Sequence, residues 1–154
     1  MDARFQVFVE RLEPKHQALL RSPALRPTSL PKLLPERGVY LFSEGARYLY
    51  VGRSNDLRER IQVHCRPSSG LNQAAFGYRL AKSQTGIVPG YKKLSPTEDW
   101  STKEPFVSAF RNAKARIRDM SVRVIEERDP FGQMLLEAYV HLTLATPHND
   151  FENH

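Results

Sequence analysis

Cysteine is nearly missing from this chain: Cys65 is the single one in 154 residues. An internal disulfide and a Cys-cluster zinc site are both excluded. Long apolar runs are missing too, and none approaches the roughly 18 residues of a spanning helix. The opening stretch, MDARFQVFVERLEPKHQ, mixes charges with apolar residues and has no uninterrupted apolar segment of the signal-peptide kind. Internal repeats and low-complexity segments are absent. With 40% apolar and 26% charged residues the composition is too balanced for a disordered chain. These absences lead to the expectation of one soluble, cytoplasmic domain with few cofactors.

What is present is an uneven distribution of charge. The net charge is +6. Residues 47–93 carry 9 basic and 2 acidic side chains, whereas residues 119–154 carry 2 and 7. Arginine outnumbers lysine in the basic segment, and its planar fork suits phosphate oxygens. A concentrated basic segment favours a polyanionic partner, most often nucleic acid, over a merely solvated surface.

Phe5, Phe8, Val9 and Leu12 fall on one helical face, predicting a helix over residues 3–21 that Pro14 kinks or divides. Four prolines in residues 22–35 mark a connector that wraps the domain. Gly38-Val39-Tyr40-Leu41-Phe42 and Arg47-Tyr48-Leu49-Tyr50-Val51-Gly52 predict two strands of a hairpin, turning at Gly45. Strict alternation places Tyr48 and Tyr50 on one face, Leu49 and Val51 on the other. Asp56 with Glu59 has the capping-box pattern ahead of a helix whose Leu57, Ile61 and Val63 point inward. On that helix Arg60 and His64 are one turn apart. Residues 72–82 read as helical, and residues 83–101, with Lys92, Lys93 and Trp100, as a long functional or mobile loop. Pro105 opens a helix whose apolar stripe is Phe106, Phe110, Ala113 and Ile117, beside a basic stripe of Arg111, Lys114 and Arg118. Residues 121–126 alternate as a third strand, and Asp129-Pro130 starts a last helix to about residue 144. The fold class is therefore α+β, a small three-stranded antiparallel sheet flanked by helices.

That last helix is apolar nearly all round, which predicts burial, and Glu137 is its only formally charged side chain. A buried carboxylate is costly unless paired or metal-bound. Two readings follow: an ion pair with an inward arginine, or catalytic or metal duty. Taken singly, His64, Arg60, Tyr40 and Tyr50 read as ordinary helix and strand residues. His141 and His148 lack ligand partners at a recognisable spacing.

Taken together, Gly38-Val39-Tyr40, Tyr50-Val51-Gly52 and Arg53-Ser54-Asn55-Asp56-Leu57-Arg58-Glu59-Arg60 resemble the GIY-YIG nuclease family. Two tyrosine motifs lie ten residues apart, with a basic residue after the second glycine and N-D-L-x-x-R in register. Glu137 and the later Pro147-His148-Asn149 are similar to the family's closing elements, and His64 to the histidine of its restriction-enzyme branch. The resemblance spans residues 36–153, with residues 1–35 a helix and connector packing on the domain and residues 66–104 an inserted segment. It implies a metal-dependent DNA endonuclease that leaves 5′-phosphate and 3′-hydroxyl ends. Tyr40 would be general base, helped by nearby cations or by His64 accepting a proton. Tyr50 would position water or phosphate, and Arg60 would stabilise the transition state. Glu137 would hold one Mg²⁺ or Mn²⁺ ion, and Asn149 would orient or close the site around it. Arg53, Lys92, Lys93, Arg111, Lys114 and Arg118 are candidate contacts to the DNA backbone. A homodimer would allow both strands to be cut. The competing readings are a nucleic-acid-binding module without catalysis and a protein-interaction domain using the Trp100 loop.

Overall fold

A computed structural model describes residues 1–86 and 103–152. Lys92, Lys93 and Trp100 lie outside them. The described residues form five helices and a three-stranded antiparallel sheet in the order β2-β1-β3. The elements are α1 (Ala3–Arg21), β1 (Gly38–Glu44), β2 (Arg47–Ser54), α2 (Leu57–Cys65), α3 (Ala75–Thr85), α4 (Phe106–Arg118), β3 (Ser121–Glu126) and α5 (Pro130–Leu144). No helix among the described residues is long and apolar enough to cross a membrane. The chain divides into two units, Met1–Ile61 with Met120–His154, and Gln62–Asp119. The segment expected to be inserted, residues 66–104, falls inside the second.

In the first unit, α1 starts where Asp2 accepts from the backbone N–H of Arg4 and Phe5 at 2.8 and 3.3 Å. It runs unbroken through Pro14. The carbonyl left without a donor belongs to Glu10, on the exposed side of the helix. Its buried stripe is the predicted one carried further along the helix, with Leu12 against the core, but the first turns are left uncovered. His16 and Leu19 are buried, while Phe5 and Val9 are 40% and 36% exposed. Leu19, Val39, Leu41, Val51, Leu136 and Val140 make the core between the sheet and helices α1 and α5. The connector follows the outer edge of β3, with Leu25 and Val122 exchanging two backbone hydrogen bonds of 2.8 Å. That bridge satisfies the outward ladder groups of Val122.

The hairpin turns at Gly45, whose φ of +58° favours glycine. Its alternation breaks once. Phe42 pairs with Tyr50, but Ser43 pairs with Tyr48, so Leu49 is the extra residue of a β-bulge. Tyr48 is thereby moved to the opposite face from Tyr50, against the expectation from strict alternation. There it packs beside the Leu41 core and under Arg123, whose guanidinium lies 6.0 Å from its ring centre.

Helix α5 is not buried all round either. Only Gly132, Gln133, Leu136 and Val140 are buried, whereas Phe131, Met134 and Leu142 are exposed. A helix lying on one layer buries one stripe, whatever its other faces carry. Asp129 caps it, accepting from Phe131 and Gly132 at 2.8 and 3.2 Å.

The second unit is helical. Phe106, Phe110 and Ala113 are buried as predicted, and Ala74, Ala81, Phe106 and Phe110 form its core. Helix α3 begins three residues later than expected and closes at Gly86, where φ is +69°.

Candidate active site

The site is built on the sheet face opposite the α1/α5 core. Tyr40 and Gly52 pair across β1 and β2, and Tyr50 pairs with Phe42. Cross-strand partners and alternate residues share a face, so all four point to the same side. The Tyr40 ring meets Phe42 edge-on at 5.8 Å and Tyr50 at 6.4 Å. Tyr40 is buried and its phenol lies directly over Gly52. A Cβ at position 52 would stand 2.2 Å from the Tyr40 hydroxyl oxygen and 2.3 Å from the ring carbon bearing it. The glycine of the second motif is therefore the floor on which the tyrosine of the first one rests. Gly38 answers to a different need: a Cβ there would be 2.0 Å from the Ile125 carbonyl oxygen of β3.

Arg60 reaches this face from α2 and donates a side-chain hydrogen bond to the Tyr40 hydroxyl. Helix α2 is aligned by its start, where Asp56 accepts from the Glu59 N–H at 3.1 Å. The N–H of Asp56 goes to Ser54 Oγ at 2.9 Å, a bond the capping-box pattern assigns to Glu59. Burial pushes the Tyr40 phenol well above its usual range, and the neighbouring Tyr50 and Glu137 push in the same direction. Arg60 opposes them by charge and by hydrogen bond without prevailing.

Glu137 approaches from the α5 side. It is neither sealed in nor alone: its side chain is 20% exposed, and Arg53 Nε donates to its Oε2 at 3.1 Å. Arg53 shares its sheet face with Val51, two residues earlier, which is the face α5 covers. The ion-pair reading of Glu137 thus has its arginine, a partly exposed one, and the carboxylate adds its charge to the surroundings of Tyr40. Burial raises the Glu137 pKa, and the Arg53 charge pulls it back. Because the Arg53 side chain is 42% exposed, the pair is worth only about 0–1 kcal/mol and is cheaply exchanged. Among the described residues no three His, Cys, Asp or Glu side chains gather as a metal cage.

Asn149 is occupied with the backbone rather than with Glu137, and it completes the outer edge of β2. Its Oδ1 accepts from the Val51 N–H at 2.9 Å and its Nδ2 donates to the Val51 carbonyl at 2.7 Å. One side-chain amide thus imitates a strand partner at the residue between Tyr50 and Gly52. Thr146 Oγ1 donates to the same Oδ1 at 2.7 Å, and His141 Nδ1 lies 2.8 Å from Thr146 Oγ1. Sequence reasoning missed Thr146, and no spacing signals the contact it makes with His141.

His64 belongs to the second unit and is fully buried, with its ring edge-on to Phe76 at 6.5 Å. The basic stripe of α4 is only partly a surface. Arg111 is exposed. Lys114 is buried and donates to the carbonyls of Pro67 and Ser69 at 2.6 and 2.8 Å. Arg118 donates to the Cys65 carbonyl at 3.1 Å. Lys114 is thus first a staple for the turn after α2 rather than an open phosphate contact. Comparison with known proteins returned no match, whether to family models, to curated proteins or to solved structures.

Proposed function

We propose that the chain is a metal-dependent endonuclease of the GIY-YIG type, hydrolysing DNA phosphodiester bonds to 5′-phosphate and 3′-hydroxyl ends. The observation that carries this reading is the setting of Tyr40. Its buried hydroxyl rests on Gly52, is hydrogen-bonded by Arg60, and lies within the fields of Tyr50 and Glu137. Three consecutive elements, β1, β2 and α2, thus supply two phenols and one guanidinium, and the distant α5 adds a carboxylate whose charge reaches them. A core alone asks for no such collection, because each polar group there costs desolvation.

The donor set fits a hard divalent cation. Mg²⁺ takes one or two protein carboxylates and fills its shell with water and phosphate oxygens, so Glu137 alone is sufficient. The ion, when bound, supplies positive charge to the phosphate and to the departing oxygen. The chain's own residues do the rest. Arg60 places its guanidinium against a non-bridging oxygen, where charge grows in the transition state. Arg53, released from Glu137 at little cost, can offer its fork to a phosphate on its own face of the sheet. Tyr50 bounds the space in which water sits. Tyr40 takes the proton of the attacking water. Its raised pKa keeps the reactive phenolate scarce at neutral pH, so Arg60 and the incoming cation have to lower that barrier.

A second reading, a nucleic-acid-binding module that does not cut, draws on the Arg53–Glu137 ion pair, which already satisfies the carboxylate. Incubation of supercoiled plasmid with Mg²⁺ or Mn²⁺, with and without EDTA, separates the two. The nuclease reading expects metal-dependent nicking that Glu137→Gln abolishes while DNA binding persists. No cutting by the wild type on plasmid, single-stranded or branched DNA with either metal sinks it.

A further inference from the structure

The two units differ in charge far more than in size. The first holds 13 basic and 13 acidic side chains; the described residues of the second hold 8 and 2. The excess is concentrated at one end of α4. Lys114 is tied to the carbonyls of Pro67 and Ser69, and Arg118 to the Cys65 carbonyl. These bonds fasten the turn after α2 to α4, and with it Arg66, which is exposed. Arg66 and Arg118 are both close enough to lower the Cys65 thiol pKa against its burial, and Arg118 and Arg111 both press on the Lys114 ammonium. Four cations are thereby gathered on a fixed frame. Of the two described acids of this unit, Glu104 is at the far end of α4, where it accepts from Ser108 Oγ at 2.6 Å; the other, Asp119, directly follows Arg118.

Like charges held together repel, and a frame that holds them is relieved by an anion with several charges along its length. We infer that Arg66 and Arg111, carried on the frame that Lys114 and Arg118 fasten, form a ridge that binds successive phosphates of the DNA backbone, so that the second unit supplies affinity while the first supplies chemistry. The inference rests on the nuclease reading for the identity of the polymer. Lys114 and Arg118 hold the ridge together; Arg66 and Arg111 are the side chains it turns outward. A ridge of this kind reads no sequence, because phosphates carry none.

The test is equilibrium binding of a labelled duplex, in EDTA so that nothing is cut, over a range of salt concentrations. For Arg66→Gln with Arg111→Gln the plot of log affinity against log salt becomes shallower by about 2, one for each phosphate that is no longer neutralised. Arg4→Gln with Arg47→Gln, exposed arginines of the first unit, leaves the slope unchanged. Both pairs are surface changes, and thermal melting verifies that each variant is folded. An unchanged slope in the first pair, or an equal loss in both pairs, overturns the inference. A ridge-dependent slope in a protein that never cuts sinks the nuclease reading and leaves the ridge standing as a polyanion site. Cutting by a wild type whose affinity ignores the ridge does the reverse.

Discussion

The unit built on the sheet and the helical unit spend their polar residues differently. In the first, opposite charges balance, and the unusual feature is local: a buried phenol with a guanidinium on it and a carboxylate nearby. In the second, the core is an aromatic cluster of Phe106, Phe110 and Tyr78, and the unusual feature is a surplus of one sign. A reacting phosphate needs a few groups held at fixed geometry. A long polyanion needs many charges and little geometry. On the proposed function, the first task falls to the sheet and the second to the helices.

The strongest way to break that assignment is pH. If the Tyr40 phenolate is the acting base, single-turnover cleavage rises about tenfold per pH unit above neutrality. The rise continues through about pH 9, because burial holds the Tyr40 phenol above its ordinary value. A rate flat from pH 7 to about 9 removes Tyr40 from that role. Next in size is Gly52→Ala. The new methyl would overlap the Tyr40 hydroxyl, so the ring must leave its seat, and overpacking of this kind costs about 1–3 kcal/mol. Cleavage should fall at least about a hundredfold, as when a positioned catalytic group is misplaced. Melting temperature and rate measured together distinguish this from simple unfolding.

The helical unit provides the converse. Lys114→Ala strips two carbonyls of their donor, and the buried one, of Ser69, left unsatisfied costs about 1–3 kcal/mol. Stability and DNA affinity should drop, while turnover at saturating DNA stays within a few-fold of wild type. The smallest effect concerns Glu137. Burial raises its pKa in the folded state, so folding favours its neutral form. The favourable contribution is complete below the unfolded value near pH 4.3 and is lost as pH rises through the folded pKa. At neutral pH the charge is a burden, and Glu137→Gln should melt a few degrees higher than wild type at most. A variant that melts below wild type at pH 7 would show that the Arg53 pair outweighs burial.

Much of the scaffold was legible locally. The hairpin, the third strand, the Asp129 cap and the stripe of α4 each follow from neighbours a few residues apart. What stayed hidden depends on distant partners or on a single inserted residue. Arg53 and Glu137 are 84 positions apart, and Asn149 and Val51 are 98 apart; no periodicity announces either pairing. The bulge at Leu49 shifts one strand end by one residue, which alternation cannot register. Hydrophobic content overstated the burial of α5 and of the first turns of α1, because composition says how much could be covered and not which neighbour is there to cover it. Lys114 read as a surface charge for the same reason. Its carbonyl partners lie 45 and 47 residues earlier.

The central claim is that Arg60 and Glu137 act together on one phosphodiester beside Tyr40. Single-turnover cleavage by wild type, Arg60→Ala, Glu137→Gln and the double variant tests it most directly. Groups that work as a unit lose most of the rate when either is removed. Each single change should therefore cost about 10³-fold or more, and the double variant little beyond that. Single variants that still cut within a few-fold of wild type would contradict the account.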